Sequence, residues 1–413
     1  MSVVLPGGMA FAFERCTSPV ACCAVHVKSG TRHEPDGMGG LAHFAEHLLF
    51  KGTEGRKAST VNAMIERLGG ELNAYTTKEE TVIHATVLKE DLPKAIDLLM
   101  DISFRCVFPE KEIEKERSVV LEEINTYKDS PSEQIFDDFE ELLFKGTPLS
   151  MPVLGKAASL RRIRRSTVEE YYRKCFVPSN MFFTATADLP EEKVLGVVLR
   201  YLDKYCPAAY AADSHVSGQQ DGIPEELGYI PPFCKTVNRR SHQAHCIIGA
   251  RSFSAYRNER VPAGLLVNIL GGPVANSRLN VLLRERNGLV YSVDASIGLY
   301  SDSGVASIYF GCEKSNVRKC EKLIGKVLEE MISERMSDRT LKGAKKQFLG
   351  QMTIASDGVE SKTLSMGKSL MMYGRVISLD ESRELIEQVT AEDVRCAAES
   401  IFAEGKLSKL LYV

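Results

Sequence analysis

The two halves of this chain repeat each other across a break, and that duplication constrains the fold more than any other feature. The break runs from Pro207 to Pro232, PAAYAADSHVSGQQDGIPEELGYIPP, a stretch rich in Pro, Gly, Ser and Ala with no amphipathic period. Before it, HATVLKEDLPKAIDLLMDI passes from a strand-like run into an amphipathic helix; after it, SIYFGCEKSNVRKCEKLIGKVLEEM does the same. Lys89 aligns with Lys314 and Leu92 with Val317, both at an offset of 225 (314 − 89; 317 − 92). The ends also correspond: Thr167 and Thr390 each open a helix pattern, as a threonine N-cap would, and each helix leads into a closing strand. A repeat this long predicts two homologous domains and not a solenoid. We expect them over residues 1–210 and 230–413, with 211–229 as linker.

Within each half, short β-rich runs such as CAVHVKSG, ETVIHATVL, FFTATADL and ASIYFGC are interleaved with longer helical patterns over 40–51, 59–68, 92–104 and 110–127. The strands alternate apolar and polar residues. That favours a mostly antiparallel sheet with helices on one face, an α+β fold built from two α/β sandwiches.

Composition removes several function classes. A net charge of −3 from 52 basic and 55 acidic side chains lacks the basic excess of a dedicated nucleic-acid binder. No apolar run reaches the ~18–20 residues of a membrane span, and the start MSVVLPGGMAFAFERC lacks a basic-then-apolar leader. The eleven cysteines are an odd number without C-x-x-C spacing, which points to reduced thiols and a cytoplasmic chain.

Chemistry concentrates in GGLAHFAEHLLFKGT. On a helix His43, Glu46 and His47 stand at i, i+3 and i+4 and share a face. Two imidazoles one turn apart suit a single metal ion, with a carboxylate beside its open position, as in the inverted zinc-peptidase signature H-x-x-E-H. Zinc there would activate water, and Glu46 would act as general base. The flanking Leu41, Phe44, Leu48, Leu49 and Phe50 would bury this helix, so the polar trio needs a partner that a metal supplies. A catalytic zinc takes a third protein ligand. The segment EKERSVVLEEINTY offers Glu114, Glu116, Glu122 and Glu123; Glu116 and Glu123, seven apart, share a helix face, and Val119, Val120 and Ile124 suggest a buried helix. Spacing alone does not choose among the four.

These motifs resemble the pitrilysin/insulinase family of zinc metallopeptidases, in the branch of the mitochondrial processing peptidase β subunit. The resemblance extends over essentially the whole chain, including KSGTRHEPDGMGG, LGGELNAYTTKEETVIHA and Pro152–Gly155. It implies Glu123 as third ligand, at 76 residues beyond the second histidine (123 − 47), and Glu116 as a carboxylate behind the ligands. It implies one Zn(2+) per chain. It also implies that Asn73, Ala74, Tyr75 and Thr76 lie on an edge strand that captures an extended peptide through its backbone. In the second half, NSRLNVLLRERNGLVYSV matches the family's substrate-holding pair as Arg284 and Tyr291, and no histidine follows His245. Gly271-Gly272-Pro273 stands where relatives often carry three glycines.

Family enzymes close a chamber from two halves of two domains each. One chain here supplies one half, so the resemblance implies a homodimer, or a heterodimer with a homologous subunit. The function implied is endopeptidase action on peptides or unfolded segments. The alternatives are a catalytically silent assembly subunit and a processing peptidase removing targeting segments. The basic run Arg161-Arg162-Ile163-Arg164-Arg165 reads as a solvated helix flank, and His26, His33 and His84 as structural histidines.

Overall fold

The alternating runs become strands of two sheets. In the computed structural model, which describes residues 2–211, 224–239 and 241–413, the first sheet holds β1 (Ser2–Val4), β2 (Ala10–Arg15), β3 (Val20–Val27), β4 (Glu71–Thr76), β5 (Thr81–Leu88) and β6 (Met181–Ala187). The second holds β7 (Cys234–Val237), β8 (Ala244–Ser252), β9 (Val290–Leu299), β10 (Gly304–Cys312) and β11 (Ser408–Tyr412). Most of the sequence-derived linker, residues 212–223, lies outside the described residues.

The orders are β1-β2-β6-β3-β5-β4 and β7-β11-β8-β10-β9. Apart from β1 the two orders correspond strand for strand. Each has one parallel pair, β2 with β6 and β7 with β11, formed when the closing strand returns beside the opening one. The other pairings are antiparallel. The offset of 225 holds in detail. A 3-10 turn at Lys89–Asp91 leads into the helix Leu92–Arg105, and one at Lys314–Asn316 leads into Val317–Ser333.

The compact units interleave along the chain. One comprises Met1–Asn125, Met151–Gln220 and Ala355–Ile377; the other Thr126–Ser150, Asp221–Ile354 and Ser378–Val413. The helix Pro131–Leu143, early in the chain, therefore packs on β8 and β11 of the second unit. Its stripe Ile135, Phe139, Leu143 is buried with Ile247, Tyr309 and Tyr412. Reciprocally, the helix Val359–Tyr373 belongs to the first unit and covers β2, β3 and β6. Thr363 anchors it: its carbonyl accepts from Thr184 Oγ1 at 3.0 Å and its hydroxyl bonds Thr186 Oγ1 at 2.8 Å. Gly367 lies flat on His26, where an added Cβ would sit 2.0 Å from the imidazole Nε2. The main apolar core of this unit lies on the other side of β3, around Ala21, Cys23, Val25 and Val27. Each sheet thus has its helical layer on one face and a single exchanged helix on the other. The sequence division at 211–229 treats each half as continuous and does not contain this exchange.

The threonine correspondence at the chain ends holds only in the second half. Thr390 caps its helix, accepting from Asp393 N at 3.1 Å. The helix of the first half begins at Arg165, after the extended residue Arg164, so Thr167 is already inside it. Arg117 donates to the carbonyls of Leu160 and Ile163 in the turn ahead of the helix. No helix among the described residues is long and apolar enough to cross a membrane.

Candidate metal centre

The helix Leu41–Leu49 buries Leu41, Ala42, Phe44, Ala45, Leu48 and Leu49, which fixes its rotation in the core. Gly40 precedes it with φ of 91°, a left-handed turn that costs a residue with a Cβ about 1–2 kcal/mol. Glu34 caps its first turn from outside the helix, accepting from Gly40 N at 3.0 Å and Ala42 N at 2.8 Å. Burial pushes the Glu34 carboxyl up to about 8 against the lowering by these backbone N–H groups, so it caps the helix as a hydrogen-bond acceptor and not through its charge. Thus held, the helix turns His43, Glu46 and His47 to one side, with the imidazole centroids 4.7 Å apart.

The helix Glu110–Lys128 lies against that side. It buries Ile113, Val120 and Ile124, whereas Val119, read from the sequence as part of the buried face, is 49% exposed. Of its four candidate acids, Glu122 is exposed and Glu114 pairs with Arg117 at 3.2 Å. Glu116 and Glu123 face the histidines. His43 Nε2 lies 3.8 Å from Glu123 Oε1, and His47 Nε2 lies 3.5 Å from Glu123 Oε2. Ligand atoms of His43, His47 and Glu123 all fall within 4.8 Å of one another, and they are the one such grouping found among the described residues.

These residues fit zinc. In a tetrahedral site with bonds of about 2.0–2.2 Å, ligand atoms stand roughly 3.3–3.6 Å apart. Glu123 Oε2 is buried without a hydrogen-bond partner among the described residues, as an atom reserved for a cation would be. Burial, then the neighbouring His47, pushes the His43 imidazole down to about 3, so it is neutral and able to ligate at physiological pH.

Glu46 stands beside this cluster. Its Oε2 accepts from Thr76 Oγ1 at 2.7 Å. Burial raises its pKa above the ordinary carboxylate value, with Glu123 adding to the rise; the Thr76 hydrogen bond and His47 oppose it. A carboxylate so raised is a stronger base than a solvated one. Glu116 takes no place among the ligand atoms: its Oε2 meets His47 Nδ1 at 3.2 Å and its Oε1 meets Lys51 Nζ at 2.7 Å.

Asn73, Ala74 and Tyr75 lie on β4, the end strand of its sheet among the described residues, paired with β5. Leu72, Asn73 and Ala74 line a cleft of about 350 Å³ with Glu46, His47, Lys51 and Glu116. Arg284 and Tyr291 belong to the second unit, Arg284 in the π-helical turn Asn280–Glu285 and Tyr291 on β9, 55% exposed. Of the other histidines, His26 pairs with Glu80, and His33 Nδ1 accepts from Gly30 N at 3.1 Å. Two contacts are not foreseeable from the sequence: Lys51 with Glu116, and the edge-strand residue Thr76 with Glu46. Lys51 stands just past the end of the helix Leu41–Leu49, so helical spacing does not place it.

The signature of insulinase (peptidase family M16) matches residues 11–157, which contain the whole metal cluster, and that of the peptidase M16 inactive domain matches 162–348. The chain belongs to the M16 peptidase family. M16 relatives align along nearly its full length. An uncharacterized zinc protease of Streptomyces coelicolor is 30% identical over 402 residues, covering 96% of this chain and 86% of that relative. The uncharacterized zinc protease YmxG of Bacillus subtilis is 28% identical over 380 residues, covering 92% and 90%. Among solved structures, a protease from Helicobacter pylori superposes with a TM-score of 0.90 at 19% identity, covering 100% of this chain and 98% of that one. An M16 inactive domain from Pseudomonas fluorescens gives 0.88 at 17% identity, covering 100% and 97%. At these identities the two structures speak for the M16 fold alone.

Proposed function

We propose that this chain is a zinc endopeptidase that hydrolyses peptides or unfolded segments. The observation that carries the reading is the convergence of His43, His47 and Glu123 with Glu46 beside them. His43, His47 and Glu123 would hold the zinc, which when bound polarises the scissile carbonyl and activates water. Glu46 takes the proton from the attacking water and passes it to the departing amine nitrogen. The free edge of β4 at Asn73–Tyr75 binds the substrate backbone as an added strand. Its recognition is through main-chain groups, so side-chain preference is loose.

Arg284 and Tyr291 donate hydrogen bonds to substrate carbonyls. In a homodimer the zinc residues of one protomer are completed by the partner's pair. Relatives named zinc proteases support the metal and the chemistry; the dimer rests on the family resemblance.

The test is digestion of an unstructured peptide mixture by the zinc-loaded chain, read by mass spectrometry, beside Glu46→Gln and Tyr291→Phe. Each variant alone is expected to lose cleavage. Mixing the two should restore it, because one site of the mixed dimer then carries both native residues. Equal cleavage by wild type and Glu46→Gln would overturn the reading.

A further inference from the structure

We infer that Lys51 is a positioning residue of the proposed metal centre, acting through Glu116 to fix the proton and orientation of His47. The inference rests on the zinc reading above. The Glu116 side chain is 11% exposed and divides its two oxygens between two partners: Oε1 at 2.7 Å from Lys51 Nζ, Oε2 at 3.2 Å from His47 Nδ1. With Oε1 held by the ammonium, Oε2 is presented to the imidazole. His47 donates its Nδ1 hydrogen there, which leaves the Nε2 lone pair facing the side of Glu123, whose Oε2 is 3.5 Å away.

The two histidines differ in this respect. His43 Nδ1 is buried with no hydrogen-bond partner among the described residues, so no carboxylate stands behind it. Lys51, Glu116 and His47 are therefore the relay that orients an imidazole toward the ligand cluster from outside it. The ammonium also neutralises a buried carboxylate that would otherwise add a full negative charge behind the ligands; stripping one partner from such a pair leaves an uncompensated charge and frees the other to rotate. Lys51 also lines the cleft with Asn62, Glu66 and Asn73. Its ion pair with Glu116 ties it to the metal side of that cleft.

The test compares wild type, Lys51→Met and Lys51→Arg, each first shown to be folded by circular dichroism. Zinc dissociation constants come from competition with a chromophoric chelator, and the His47 tautomer from 15N shifts of the metal-free chain. Lys51→Met should weaken zinc binding by about tenfold or more, the range seen for groups behind metal ligands. Lys51→Arg should recover most of that loss. Metal-free wild type should show His47 protonated at Nδ1, and Lys51→Met a mixture of tautomers. An unchanged zinc constant in Lys51→Met, or a raised KM with unchanged zinc binding, would overturn the assignment. Failure of the wild-type chain to bind zinc would sink the zinc reading instead, and the tautomer comparison would still decide whether Lys51 acts on His47.

Discussion

Thr76 donates its hydroxyl hydrogen to Glu46 Oε2 at 2.7 Å, tying the last residue of the edge strand to the carboxylate of the H-x-x-E-H helix. Strand β4 is thereby placed relative to Glu46 by a side-chain bond as well as by its pairing with β5. Any peptide added along β4 would be aligned to Glu46 through this contact.

Thr76→Val keeps the branched shape and deletes the donor. A hydrogen bond to a charged group contributes about 1.5–3 kcal/mol, and each 1.4 kcal/mol in a barrier is about tenfold in rate. The variant should lower kcat by roughly tenfold or more, with zinc content unchanged and Thr76→Ser near wild type. Steady-state kinetics with metal analysis checks this; a wild-type kcat would show that Glu46 does not depend on the bond.

Gly367→Ala tests the exchanged helix. The added methyl would meet His26 Nε2 at 2.0 Å, with His26 fully buried between β3 and the helix. Overpacking of this kind costs about 1–3 kcal/mol, so the denaturant midpoint should fall while the metal cluster is untouched. Unaltered stability would contradict the seating of Val359–Tyr373 on β3.

Glu80 gives a pH dependence of stability. Burial alone would raise its carboxyl, but the hydrogen bond and charge of His26, at 3.2 Å, and Lys368 on the exchanged helix, at 3.7 Å, hold it below its ordinary value of 4.5. A carboxyl lower in the folded than in the unfolded chain stabilises the fold above the unfolded value. That contribution is lost as pH falls through the folded value. Wild type should therefore lose more stability than Glu80→Gln as pH drops below about 4.5, the usual range for a carboxylate. Denaturant titrations of both chains at neutral and acid pH measure it, and parallel curves would contradict the pairing.

Much of this architecture was legible in residue order. The period of the apolar residues marked Leu41–Leu49, Leu92–Arg105 and Glu110–Lys128 as helices to within about two residues, the usual uncertainty of helix ends. The repeat at offset 225 gave two sheets of matching strand order. Among the site residues, His43, Glu46 and His47 were readable because they share one helix, where spacing alone sets the face. Glu123 was not: Glu114, Glu116, Glu122 and Glu123 are chemically equal in sequence, and the family resemblance chose between them. Val119 was misread because an apolar residue in a helix need not join the buried stripe, and Thr167 because a good capping residue lies two positions inside the helix Arg165–Cys175.

What the sequence by itself determined is therefore local: element types, the H-x-x-E-H face, and the duplication. These follow from backbone geometry and side-chain period over a few residues. Tertiary structure alone decided that Lys51 neutralises Glu116, that Thr76 reaches Glu46, and that the helices Pro131–Leu143 and Val359–Tyr373 change units. Those pairings join residues 30 to more than 200 positions apart, as Glu46 with Thr76 and His26 with Gly367. No local period encodes them, because the free energy that selects them, burial of apolar stripes and satisfaction of buried charges, arises only when the distant surfaces meet.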